Sequence, residues 1–192
     1  MRVSRERAAE NRERIIDAAG ALFREKGFGG IGVADIMQAA DLTHGGFYGH
    51  FASKDDLVAQ ACRRVMALAI ANWEKTAGGD PDNPFAALLT RYLSPRHRDD
   101  PARGCVFAAL GADAARSGPL VQDAFADGLD PLIALLAKSA PGASKTARRR
   151  KAVAAMAGLV GALLLARAIG KRELSDEILE ATRRELLAAA DR

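Results

Sequence analysis

The chain has 192 residues, enough for one fair-sized core or for a small domain packed on a larger one. Hydrophobic residues make up 49% and aromatics 5%, with alanine throughout, which favours helices packed through small side chains over a sheet of β-branched and aromatic residues; an all-α fold is expected. A net charge of +4 is too modest to establish a nucleic-acid partner by itself, and Cys62 and Cys105, far apart with no CxxC or Cys/His spacing, suggest neither a disulfide framework nor a structural zinc site and fit a reducing cytoplasm.

Met1 to Arg14 alternates Arg with Glu and lacks the apolar stretch of a signal peptide, so export is not expected. From Arg5 to Lys26 the apolar positions Ile15, Ile16, Ala19, Leu22 and Phe23 recur at helical spacing, and Gly27 stands where a glycine C-cap belongs. After a glycine-rich stretch, Val33 to Ala40 predicts a short second helix. Asp41-Leu42 form a tight connection, and Thr43 is placed to cap a third helix over His44 to His50. Helix, short turn and helix is the supersecondary unit that enters DNA grooves. Ser53-Lys54-Asp55-Asp56 then has the pattern of a capping box opening a long helix to about Lys75.

Thr76 to Pro84 is expected as a loop, with Asn83-Pro84 capping and starting a helix to about Leu93. Ser94 to Arg103 is polar and broken by Pro95 and Pro101. Helices follow over Gly104 to Arg116 and Pro119 to Ser139, the second with a kink expected at Pro131. Two more, Ser144 to Gly170 and Ser175 to Ala190, close the chain, the last with Ser175 as its cap. The apolar run Ala152 to Ala166 is shorter than the roughly twenty residues that span a bilayer and reads as a buried helix. About nine helices result, dividing near Leu57 into residues 1–56 and 57–192.

The segment Ile31 to Lys54 carries Val33-Ala34-Asp35-Ile36, Ala39-Ala40-Asp41-Leu42-Thr43, His44-Gly45-Gly46-Phe47-Tyr48-Gly49-His50-Phe51 and Ser53-Lys54. This pattern resembles the helix-turn-helix of TetR/AcrR-family transcriptional regulators. The resemblance implies a three-helix DNA-binding domain followed by a larger helical domain for ligand binding and dimerisation. It further implies phosphate contacts from Tyr48, His50 and Lys54, with Thr43 joining capping to a phosphate contact, and base reading from Ala34, His44, Gly45 and Gly46. Only His44 of that reading set has a polar side chain, so direct readout is sparse. Two positions depart from the pattern: Gly32 stands where the family often has Thr or Ser, and Asp41 where it commonly has glycine, which predicts strain in the turn.

The residues support this reading independently. A helix entering the major groove needs narrow or hydrogen-bonding residues outward and a packing face behind, which Phe47 and Phe51 supply. Gly45, Gly46 and Gly49 are poor helix formers, each costing about 1 kcal/mol against alanine. Two explanations stand: close approach of backbone to the duplex, or a frayed turn. Arg2, Arg5, Arg7, Arg12 and Arg14 offer salt-sensitive phosphate or minor-groove contacts, against which ion pairing weighs equally for Arg12 and Arg14.

In the body, the resemblance implies a homodimer on a palindromic site, pairing through the last two helices, where Ala155, Leu159, Ala162, Leu163, Ala166, Ile178, Leu179 and Leu186 are the expected interface. It implies as well a small apolar or amphipathic ligand, in a pocket bordered by Trp73, Tyr92, Cys105, Phe107, Phe125 and Met156, whose binding releases double-stranded operator DNA. Cys105 follows Gly104 at a helix start, where amides lower a thiol pKa; an inert core thiol and a redox or electrophile sensor are both open. The cluster from Arg148 to Lys151 reads as solvated charge. No nucleophile elbow, zinc helix or phosphate loop is present, so neither catalysis nor a cofactor or metal is expected. The competing class is a helical interaction module that does not touch DNA.

Overall fold

The computed structural model describes residues 5–189, which form nine α-helices, two 3-10 segments and no strand. Helix α1 (Arg5–Lys26) buries the expected stripe of Ile15, Ile16, Ala19 and Phe23. It ends where Gly27 turns to φ +75° and donates its N–H to the Phe23 carbonyl at 2.8 Å. Helix α2 (Val33–Ala39) buries Ile36 and Met37. Its exit is a Schellman turn: Leu42 N–H donates to the Met37 carbonyl and Asp41 N–H to the Gln38 carbonyl, both at 2.9 Å. That turn sets Asp41 at φ +53°, the left-handed strain expected of a residue standing in for glycine. Arg14 reaches across to its carboxylate at 3.1 Å.

The third element of the head is a 3-10 segment over His44–Gly49 rather than the α-helix expected. Three glycines in six residues supply little helical propensity, and the segment tightens into i→i+3 bonds. Thr43 occupies its cap position with no side-chain hydrogen bond, which corrects the capping role expected of it. Helix α3 (Lys54–Gly79) opens as the Ser-x-x-Asp pattern predicts, Ser53 Oγ accepting from Asp56 N–H at 3.1 Å. The return bond is displaced by one residue, Asp56 Oδ2 accepting from Ala52 N–H. The helix runs a turn beyond Lys75, because Thr76 Oγ1 donates back to the Asn72 carbonyl and Ala77 still packs against the core.

Helix α4 (Pro84–Tyr92) begins at the expected proline, although Asn83 makes no side-chain cap. The stretch Ser94 to Arg103, expected as broken and polar, holds α5 (Pro95–Asp99) and a 3-10 segment, Pro101–Arg103. Each starts at its proline and is capped by the residue before it: Ser94 Oγ accepts from His97 N–H, and Asp100 Oδ1 from Arg103 N–H. Helices α6 (Val106–Ala115), α7 (Pro119–Ser139, with Pro131 inside it) and α8 (Lys145–Ala168) follow.

The last helix, α9 (Glu173–Ala188), starts two residues before Ser175, which is therefore not its cap. Ser175 is fully buried instead: its Oγ donates to the Ala166 carbonyl and accepts from Arg98 Nη1, both at 2.9 Å. The Arg98 guanidinium is itself buried and also pairs with Asp99 and Asp176, so the bonds it makes replace the water it has lost and tie α5 to α9.

The body is centred on α3 and α7, the most extensively packed pair, with α8 against α7 and α9. At Gly128 the two central helices come so close that any β-carbon would collide with Met66. Helix α8 spans nearly the whole of the expected Ser144 to Gly170 and, at 24 residues, is long and apolar enough to cross a membrane. Seven of its residues, Leu159 and Leu163 among them, are buried within the chain.

Candidate nucleic-acid interface and ligand cavity

The head divides into a hidden and an outward face along the same six residues. Phe47 is 1% exposed, with Phe51 5.5 Å away and Tyr48 edge-on at 5.2 Å between ring centroids. Tyr48, by contrast, is 73% exposed. Thr43, His44, Gly45 and Ala34 are exposed as well, while Gly46 and His50 are half-buried. Among the described residues the side chains of Thr43, His44, Tyr48 and His50 have no hydrogen-bond partner, so their polar groups are free to meet a ligand. A β-carbon at Gly45 or Gly49 would meet nothing within 4 Å, and at Gly46 only Met37 at ordinary contact distance. Backbone φ is positive at none of the three. Nothing among the described residues requires glycine there.

Two groups of expected contacts are already engaged. Lys54 Nζ donates to the carbonyls of Phe28 and Ile31 at 2.6 Å each, clamping the loop between α1 and α2, so one of its three protons remains. Arg12 bonds to Gln60 and lies over the Phe51 ring at 5.3 Å, and Arg14 pairs with Asp41. For these two arginines ion pairing and packing prevail over the free arm. Arg5 opens α1 and is exposed; Arg2 lies outside the described residues.

A cavity of about 680 Å³ opens between the head and the far end of the body. Five of the six residues expected around it do line it: Trp73, Tyr92, Cys105, Phe107 and Met156. Phe125 does not; it stands behind the wall, edge-on to Phe107 at 5.4 Å. The lining is less apolar than expected. Arg91 of α4 contributes to it, as do Arg96, His97, Asp100 and Arg103, the last four missed because Ser94 to Arg103 was read as a connection. The signal was present in Ser94-Pro95 and Asp100-Pro101, each a capping residue before a proline.

Below the rim lies a buried polar cluster. His97 Nε2 accepts the Cys105 N–H at 3.0 Å, which places the ring proton on Nδ1, donating to the Tyr92 carbonyl at 2.8 Å. Burial lowers the His97 pKa below 6.5, outweighing the opposing pull of the Tyr92 bond. At Cys105 burial outweighs the amides at the start of α6 and the Tyr92 hydroxyl, which lower the thiol pKa, so the net shift is upward, which favours the inert thiol of the two readings. Cys62, in the α1–α3 interface, is pushed up to about 12 for the same reason. Arg167 Nη1 is buried without a hydrogen-bond partner among the described residues, and Tyr92 Oη has none besides the Cys105 thiol. The other Arg167 nitrogens donate to the carbonyls of Arg98 and His97.

Two connections run from this cavity wall to the head. The Arg24 guanidinium of α1 donates to the Ala102 carbonyl, Nε at 2.7 Å and Nη2 also bonded, and Phe28 N–H donates to Asp113 of α6 at 3.3 Å. The same α3 that begins beside the head supplies Met66, Ala69, Asn72 and Trp73 to the cavity.

The expected pairing face requires correction. Ala155, Leu159, Ala162, Leu163, Ala166 and Leu179 are buried in the chain's own core, so they have no surface to offer a partner; Ile178 and Leu186 are half-buried. A helix covered on one side presents its next face to solvent, and on α8 that face carries Val153, Ala157, Leu164 and Leu165, all exposed.

Residues 15–61 match the family described as bacterial regulatory proteins, tetR family. Over 90 residues, 47% of this chain and 31% of the relative, the sequence is 33% identical to the uncharacterised HTH-type transcriptional regulator YerO of Bacillus subtilis (strain 168). Over 99 residues it is 36% identical to the HTH-type transcriptional regulator AcrR of Shigella flexneri, covering 48% of this chain and 44% of that one. Both matches span less than half the length of the relative. The fold extends the likeness over nearly the whole chain. A TetR transcriptional regulator from Chloroflexus aurantiacus superimposes with a TM-score of 0.79 at 23% identity, covering 97% of each chain. The reduced form of NemR from E. coli does so at 0.78 and 21%, covering 92% of this chain and 95% of that one.

Proposed function

We propose that this chain, which belongs to the tetR family of bacterial regulatory proteins, represses transcription by binding a palindromic operator as a homodimer and releases it when a small molecule fills the body cavity. The observation that carries the reading is the outward face of His44–Gly49: unpartnered polar side chains at Thr43, His44 and Tyr48 beside glycines that no internal contact requires. A backbone without side chains approaches a duplex closely, and the flanking hydroxyls and imidazoles take phosphates and base edges. Ala34, Gly46, His50, the remaining Lys54 proton and Arg5 complete the surface. One half-site read this sparsely gives weak specificity, so two copies are needed, joined through the exposed face of α8 with Ile178 and Leu186 at its border. The head comprises residues 1–56, the sensing and pairing body 57–192, and the protein works in the cytoplasm without a cofactor.

Release follows from the shared elements. Ligand in the cavity presses on the α3 residues Ala69 and Trp73 and on the segment that carries Ala102, the acceptor for Arg24. A change at either point alters the tilt of the head, and the ligand acts by binding one tilt better than the other. The raised Cys105 pKa weighs against thiol chemistry and favours a reversible ligand.

An electrophoretic shift with DNA flanking the chain's own coding region tests the reading. Binding is expected with the wild type and lost with Tyr48→Ala or His44→Ala while the thermal melt stays unchanged; no binding to any fragment of its genome would overturn it in favour of an interaction module.

A further inference from the structure

The charge of the cavity wall selects among ligands. Its apolar part is formed by Trp73, Leu88, Phe107, Leu132 and Met156. Arg91 and Arg96 line it where it meets solvent, and among the described residues neither side chain has an ionic or hydrogen-bonding partner. Arg103 lies beside them with its charge already met by Asp100 at 2.7 Å. Asp100 is the sole carboxylate in the lining, and it is spoken for. The only imidazole of the wall among the described residues, His97, keeps an acceptor nitrogen toward the Cys105 amide and stays neutral near pH 7.

Two guanidinium groups therefore face the cavity mouth uncompensated. A cationic ligand would meet them as like charges at the rim of a low-dielectric space, with no free carboxylate to answer it. A neutral apolar ligand would fill the wall and leave both unused. A carboxylate or sulfonate pairs with guanidinium through two parallel hydrogen bonds, and its apolar remainder then covers the aromatic wall. We infer that the effector is an amphipathic organic anion, its head group held by Arg91 and Arg96 and its apolar body seated against Trp73, Phe107 and Leu132. The inference rests on the proposal that this cavity is the ligand site, and it adds to that proposal the charge and polarity of the ligand. A volume of about 680 Å³ suits a molecule of drug size.

Two dyes that share one apolar frame test it in the full chain. 8-Anilinonaphthalene-1-sulfonate is an amphipathic monoanion; N-phenyl-1-naphthylamine is the same frame without the sulfonate, and both brighten in apolar surroundings. In fluorescence titrations at low salt the wild type is expected to bind the sulfonate roughly tenfold more tightly, the effect of one or two partly exposed ion pairs. Arg91→Gln/Arg96→Gln, at exposed positions that the core does not use, should abolish that preference and leave the uncharged dye unaffected. Equal affinities in the wild type, or a preference that survives the double substitution, overturn the anion inference alone. Ala69→Trp, which fills the cavity from α3, separates the two levels. Loss of both dyes places them in the cavity, whereas failure of either dye to bind the wild type, or undiminished binding of both to Ala69→Trp, overturns the cavity reading together with the inference.

Discussion

In the reading head, most of the candidate contacts come from the stretch between Ala34 and Lys54 and are held by a small apolar set, Ile36, Met37, Phe47 and Phe51. The cavity, by contrast, is gathered from α3, α4, α5, α6, α7 and α8, none of which supplies more than a few side chains. A surface built from one segment depends on one local packing cluster, whereas a cavity built from six helices inherits the stability of the whole body. The two regions should therefore fail differently, and they are joined by α3, the Arg24 bond and the Phe28–Asp113 bond to a degree that substitution can measure.

Phe47→Ala gives the largest effect. Truncating a ring that is 1% exposed and stacked near Phe51 removes about 3–5 kcal/mol from the head. Operator binding should vanish, while dye binding in the cavity persists and thermal melting splits into an early and a late transition. A single lowered transition, with both activities lost together, would break the comparison and mean that α3 fuses head and body into one cooperative unit.

Lys54→Met comes next. The apolar stem survives, but the carbonyls of Phe28 and Ile31 lose a charged donor at 2.6 Å, a loss of about 2 kcal/mol. Urea denaturation should register the change before DNA is added. Unchanged stability with weakened operator binding would instead return Lys54 to the phosphate role that the sequence pattern implies.

These two residues also mark what the sequence made legible. Phe47 and Phe51 were readable as a packing face because helical spacing separates them from Tyr48 within a single segment, and the positive φ at Asp41 followed from a non-glycine residue in a glycine's place. The clamp made by Lys54 was not readable, because its acceptors are backbone carbonyls more than twenty residues away, which leave no side-chain signature. The same limit hid the cavity rim. Aromatic and thiol residues of the wall could be picked out by type, but Arg96, His97 and Asp100 border the cavity only because Ser94 to Gly104 folds into two capped turns, and no pattern on α4 marks Arg91 as part of its rim. On α8 the periodicity identified an apolar helix without telling which of its faces the chain would bury against itself, so core residues such as Leu159 and Leu163 were assigned to a partner.

The cavity side can be tested by pH. His97 is neutral in the fold, with its pKa held below the ordinary 6.5 by burial, so the unfolded chain binds the proton more readily. Its contribution to stability is complete above pH 6.5 and declines as the pH falls below that value toward the folded pKa. Protonation would place an N–H on Nε2 against the Cys105 N–H, setting donor against donor. Wild type should lose more stability over this window than His97→Gln loses. Parallel pH profiles of the melting temperature in the two proteins would mean that the ring titrates freely and the polar cluster does not restrain it.

Gly45→Ala should have the smallest effect on the fold and is the most telling for the head. The added methyl meets no atom within 4 Å and the backbone there does not have a positive φ, so the substitution neither strains nor crowds the chain. Alanine orders the unfolded state more than glycine does, so stability should hold or rise by less than about 1 kcal/mol. A frayed turn would be repaired by that change, and DNA binding would be unaffected or improved. If glycine is there to let the backbone approach the duplex, the same methyl stands in the groove, and operator affinity should fall by roughly tenfold while the melting temperature does not fall. The sign of the affinity change therefore decides between the two explanations of a glycine-rich reading segment, because the fold itself is indifferent to the substitution.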